Sequence, residues 1–123
     1  MTAPLVCGTK TWPSKAAAKR EISAYKAKVR EGVDRRVTFI DAEGRMKYGT
    51  LVPDEDLPWI YALFTFHPRA GAKFAAGVNE VAIAPGKYNN SLSFFFKSDN
   101  GVWDDISVKN CLGGYREMSK SSV

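Results

Sequence analysis

The chain has 123 residues, of which 45% are hydrophobic and 25% charged, with a formal net charge of +5. These values suit one globular domain. No apolar run approaches the ~18 residues of a membrane span, and Cys7 and Cys111, the only cysteines, form neither a disulfide framework nor a CxxC zinc pair.

The first segment, MTAPLVCGTK, lacks a basic start and a long apolar stretch, so no signal peptide is expected and a cytoplasmic, reducing setting is the expectation. Residues 1–11 read as an N-terminal extension. Ser14 then stands where an N-cap belongs, before KAAAKREISAYKAKVRE, a run of good helix formers closed by Gly32 as C-cap. At 100° per residue Ala18, Ile22, Tyr25 and Val29 form an apolar stripe. Lys15, Lys19, Lys26 and Arg30 form a basic stripe on its flank.

The whole charge excess lies in the stretch that runs from this helix to the start of the next element. Between Lys15 and Arg36 eight basic residues face three acids, and the remainder is balanced at ten against ten. Such a stripe has two readings: cations tracking phosphates, or a solubilising face whose lysine stems cover the edge of the core.

RRVTFID and MKYGTLV, separated by AEGR, read as a β-hairpin. Asp54, Glu55 and Asp56 favour a helix N-terminus. Leu57, Ile60, Tyr61 and Phe64 then recur at helical spacing, with Pro58 tolerable in the first turn. The only histidine, His67, precedes Pro68, a step that stops a helix. His67 is therefore expected to cap or pack the helix end, favoured by the dipole when charged. Arg69 and Lys73 follow as a second basic patch.

The C-terminal half reads as strands. NEVAIA is one; KYNNS is a loop; SLSFFFKS places Leu92, Phe94 and Phe96 on one face and Ser93, Phe95 and Lys97 on the other. Asp99-Asn100-Gly101 signals a hairpin turn into VWDDISV. KNCLGG closes the domain, and residues 115–123 read as a polar tail.

Catalytic patterns are scarce. No HxxxH, Gly-rich phosphate loop or GxSxG elbow occurs. Asp104 and Asp105 are adjacent on a strand and point to opposite faces, so they do not readily share a metal. Nothing in the spacing supports a His67–Cys111 nucleophile pair. No enzyme activity, metal or cofactor is expected, with a metal-dependent nuclease as the enzymatic alternative.

Five short pieces in order resemble the DCL family (defective chloroplasts and leaves): WPSKAA, LFTFHP, KFAAGV, FFFKSDNGV and DDISVKNC. The span is Trp12–Leu112, about four-fifths of the chain. Ala75 and Ile106 depart from the family's usual glycine and phenylalanine, and the insert between the helices is longer. The resemblance implies an α+β module at 12–114, tied to RNA metabolism, with His67, Asp105, Ser107 and Cys111 on family positions of unassigned role. It also implies partners such as RNA, a ribonucleoprotein or RNA polymerase, and places such as ribosomal RNA processing or a transcription complex.

The combined expectation is a single α+β domain, two helices packed on a mostly antiparallel sheet of four to five strands. Its expected function is a non-enzymatic RNA- or ribonucleoprotein-binding accessory protein using Lys15, Lys19, Lys26, Arg30, Arg69 and Lys73. The alternative is a small protein-binding regulator or inhibitor of phage type, docking on a polymerase or defence complex. No membrane partner is expected.

Overall fold

The structure, a computed structural model, describes residues 5–8, 10–32, 35–75, 77–86 and 91–113. Residues 87–90 of the expected KYNNS loop, and the expected tail at 115–123, lie outside the described residues. The order is β1 (Leu5–Cys7), β2 (Lys10–Trp12), α1 (Lys15–Arg30), β3 (Arg36–Ile40), β4 (Met46–Leu51), a 3-10 turn (Asp54–Asp56), α2 (Leu57–Phe64), α3 (Ala70–Lys73), β5 (Glu80–Pro85), β6 (Leu92–Lys97) and β7 (Trp103–Ile106). Residues 108–113 are also helical. This is the expected α+β domain.

Helix α1 starts where Ser14 accepts the Ala17 N–H at 3.2 Å, satisfying one of the orphan donors of a first turn. Its C-cap is Glu31 rather than Gly32, because the tightened last turn bonds the Glu31 N–H to Lys28 and Val29 carbonyls. Helix α2 ends at Phe64, three residues before His67. The chain then tightens: Phe66 N–H donates to Leu63 O at 3.2 Å and His67 N–H to Phe64 O at 3.0 Å, the short-range closure common at helix ends.

Strands β3 to β7 form one antiparallel sheet in sequence order, although α2 and α3 intervene between β4 and β5. The sheet curls until its edges meet. Asp41, just past β3, bridges Trp103 on β7, and Phe39 on β3 stacks on Trp103 with centroids 4.3 Å apart. Phe95 completes the concave cluster at 5.4 Å from Phe39, over Ala82 and Ala84. Gly49 lies opposite: a Cβ there would come within 3.0 Å of the Phe39 ring. Large rings against small residues are what a tight curl can enclose.

The convex face carries the main core. Helix α1 crosses β4, β5 and β6, burying Ala18 and Ile22. Ile60, Leu63 and Phe64 of α2 meet Ile83, Phe94, Phe96 and Ile106. Each such large apolar side chain contributes ~1.5–3 kcal/mol on burial. Phe94 and Phe96 thus face the helices while Phe95 faces the concavity, the alternation the sequence predicts.

The β1–β2 hairpin has no counterpart in the sequence reading. It adds Leu5, Cys7 and Trp12 to the core. Gly8, at φ 59°, turns the chain against α2, where a Cβ would lie 3.3 Å from the Trp59 backbone, a conformation and a clearance that favour glycine. Trp12 meets Trp59 edge to face at 6.0 Å, and its indole N–H donates to the Glu21 carboxylate.

Candidate functional site

The basic stripe of α1 does not face solvent as a unit. Lys26 is half-buried: its ammonium donates to the Leu92 carbonyl at 3.2 Å and lies 5.2 Å from the Phe94 ring centroid. Desolvation pushes its pKa down, since burial disfavours the charged form. Among the described residues no carboxylate lies within ion-pair distance of it. One turn on, Arg30 donates to the Tyr48 carbonyl at 2.5 Å. Lys19 is exposed, and Lys15 is half-buried in the first turn.

Lys19 and Lys26 line the wall of a groove of about 660 Å³ between α1, the start of β6 and the corner after β7. Ser23, Ser91, Ser93, Ser107, Lys109 and Asn110 complete its polar lining, with Asp105 at its edge. Three ammonium groups against one carboxylate, among several hydroxyls and an amide, make a surface able to donate many hydrogen bonds to an anion. The sequence reading named Ser107 and Asp105 only as motif positions of unassigned role and missed Lys109, Ser23, Ser91, Ser93 and Asn110 as lining residues. Their only linear signal was a scatter of small polar residues around strand ends.

The second patch, Arg69 and Lys73, does not line this groove. Lys73 forms an ion pair with Asp104 at 3.2 Å, tying α3 to β7, and Arg69 is exposed beside His67. Lys73 thus braces an acidic edge rather than extending the stripe.

His67 is buried, and its Nδ1 accepts the Arg69 N–H at 3.0 Å. The proton of the neutral ring therefore sits on Nε2. Desolvation, then the charges of Lys73 and Arg69, push its pKa down, against a weaker upward pull from Asp105. The expected dipole role is corrected: a ring kept neutral does not complement the end of α2 as a cation. It organises the Pro68–Arg69 turn into α3 instead.

The remaining motif positions are also placed. Burial pushes the Cys111 thiol up to about 12, reinforced by neighbouring Cys7 and opposed by Lys26 and Lys73. Cys7 is pushed up to about 11 by burial. Both are inert thiols at neutral pH. Ser107 Oγ accepts the Asn110 N–H at 3.3 Å and its carbonyl the Cys111 N–H at 3.1 Å, capping the last helical segment. Asp104 faces the helices and Asp105 the concavity, across regular pairing with Phe96 and Phe95. Local desolvation, then the charge of Asp104, raises the Asp105 pKa. Among the described residues no group of three or more His, Cys, Asp or Glu could hold a metal, and no helix is long and apolar enough to cross a membrane.

Fold and groove together define a small α+β domain: helices on the convex face of a curled antiparallel sheet, with a cation-lined cleft beside the first helix. Residues 43–112 match the family DUF3223, described as a protein of unknown function, and the chain belongs to that family. A solution NMR structure of an uncharacterised protein from Rhodospirillum rubrum shares the fold, with a TM-score of 0.64 at 18% identity over 90% of this chain and 89% of that one. No curated protein matches the chain.

The DCL resemblance is corrected by this result: the matching family is uncharacterised and lends no support to a DCL-like domain. Physically, four of the five pieces contain residues that this fold uses for caps, turns and packing. Ser14 caps α1, His67-Pro68 turns into α3, Gly101 at φ 82° closes a hairpin, and Ser107 and Cys111 cap and pack the last segment. Agreement at such positions reports turns and packing, not function. The ribosomal RNA processing and polymerase roles that rested on the resemblance go with it.

Proposed function

We propose that this protein is a non-enzymatic RNA-binding accessory protein that seats a phosphate backbone in the groove beside α1. The observation that carries the reading is Lys26, a half-buried cation facing an open polar cleft without a carboxylate partner among the described residues. Holding a desolvated charge without a counter-ion costs stability. A phosphate entering the groove would supply that counter-ion, with Lys19 and Lys109 at the rim and serine hydroxyls between. Lysines act as point charges rather than bidentate forks, which suits backbone contact without base preference.

The test is anisotropy titration of a labelled dodecameric single-stranded RNA. Lys26→Met should lower affinity about tenfold, ~1.4 kcal/mol, while leaving the melting temperature unchanged or raised, because an unpaired buried charge has been removed. Lys28→Gln, on another face of α1, should bind as the parent does. Equal affinities for Lys26→Met and the parent contradict the reading. So does tighter binding of polyglutamate than of RNA, which would support a protein partner instead.

A further inference from the structure

We infer that Tyr48 is a stacking platform for an unpaired nucleobase, making the preferred ligand single-stranded nucleic acid. The inference deepens the RNA-binding reading and rests on it.

Tyr48 lies mid-strand on β4, yet it is 65% exposed. It belongs to the convex side of the sheet, but α1 stops short of covering it. Its hydroxyl contacts Met46 Sδ at 3.3 Å, which directs the ring along the strand. Met46 and its cross-strand partner Ile40 are also more than half exposed, leaving a flat apolar floor. Such an aromatic contributes little to the core, and an isolated exposed side chain would be unremarked. This one shares a recess with two cations. Arg30 reaches over from α1 to the Tyr48 carbonyl, and Arg36 stands on β3 two residues before Thr38, the residue directly paired with Tyr48. Arg30, Arg36, Thr38 and Tyr48 line one recess of about 360 Å³.

Among the described residues neither guanidinium has a carboxylate partner. A ring with an open face, beside cations that have no carboxylate partner among the described residues, matches the alternation of base and phosphate in a single strand. A duplex keeps its bases stacked inside and cannot offer one to the ring. The recess lies further along the same helix than the groove: Arg30 follows Lys26 by one turn, and Lys19 to Arg30 spans ~16 Å along the helix. A short strand lying in the groove would run along this edge of α1 and emerge over Tyr48.

The test uses Tyr48→Ala and Tyr48→Phe beside Lys26→Met, with the RNA dodecamer single-stranded and as a duplex of equal length. Tyr48→Ala should lower single-strand affinity about tenfold with an unchanged salt slope, because stacking releases no counterions. Tyr48→Phe should retain binding, and the duplex should bind more weakly and not distinguish the variants. On titrating the parent, the Tyr48 ring protons should shift upfield under the base, a readout independent of whether any variant folds. If Lys26→Met loses affinity while Tyr48→Ala stays within about twofold of the parent and no ring shift occurs, the platform is overturned and the groove reading survives. If the parent binds no nucleic acid, the groove reading fails and the platform with it.

Discussion

At the scale of single residues, His67 carries the clearest consequence of its surroundings. Its folded-state pKa lies below the ordinary value of 6.5, chiefly through desolvation and then through Lys73 and Arg69. The unfolded chain therefore takes up the proton first. The stability His67 contributes is complete above about 6.5 and is lost as the pH falls from there through the folded-state value. His67→Asn keeps an acceptor near Nδ1 for the Arg69 N–H and removes the titration. It should hold most of the parent's stability at neutral pH and flatten the acid-side decline. His67→Ala should lose ~1–2 kcal/mol even at neutral pH, the range for removing a turn-capping bond. Urea unfolding at several pH values reads both; an undiminished acid-side slope in His67→Asn would assign that decline to other groups.

At the scale of elements, legibility followed how local the determinants are. Helix α1 was legible because Ser14, an alanine- and lysine-rich run and a four-residue apolar period all lie within it. Ser14→Ala should cost ~1 kcal/mol, and a thermal melt indistinguishable from the parent would show the cap to be idle. Strands β3 to β7 were legible from alternation and from turns such as Asp99-Asn100-Gly101. The three-residue strands β1 and β2 were not, since neither is long enough to show a period. Their stability comes from contact between Trp12 and Trp59, 47 residues apart in the chain. The helical residues 108–113 were hidden by asparagine and glycine in KNCLGG, which disfavour helix locally until Cys111 and Leu112 are buried. The site was half legible for the same reason. A helical wheel groups Lys15, Lys19, Lys26 and Arg30, but it cannot say that β6 rises beside Lys26, that β4 meets Arg30, or that Lys109 joins from the far end of the chain.

At the scale of the molecule, the curl of the sheet sets where everything else sits. It brings β3 to β7, closes Phe39 on Trp103, and presents a convex face over which α1 can run with one flank open. No local pattern announces this closure, because it depends on rings at opposite edges and on the space left at Gly49. Gly49→Val should therefore push Phe39 off Trp103 and cost ~1–3 kcal/mol, the range for overpacking, with loss of near-ultraviolet ellipticity from the stacked pair. An unchanged spectrum and stability would show that the concave cluster is loosely packed and that closure does not depend on it.

Binding by this domain is proposed to centre on the groove, and the slope of log affinity for single-stranded RNA against log salt concentration tests that most directly. The parent should show a negative slope. The triple variant Lys19→Gln, Lys26→Gln, Lys109→Gln should flatten it by about 0.7 for each phosphate that is no longer neutralised, close to 2 in all. A triple variant that stays folded and keeps the parent's slope would contradict the claim that these lysines hold the phosphate backbone.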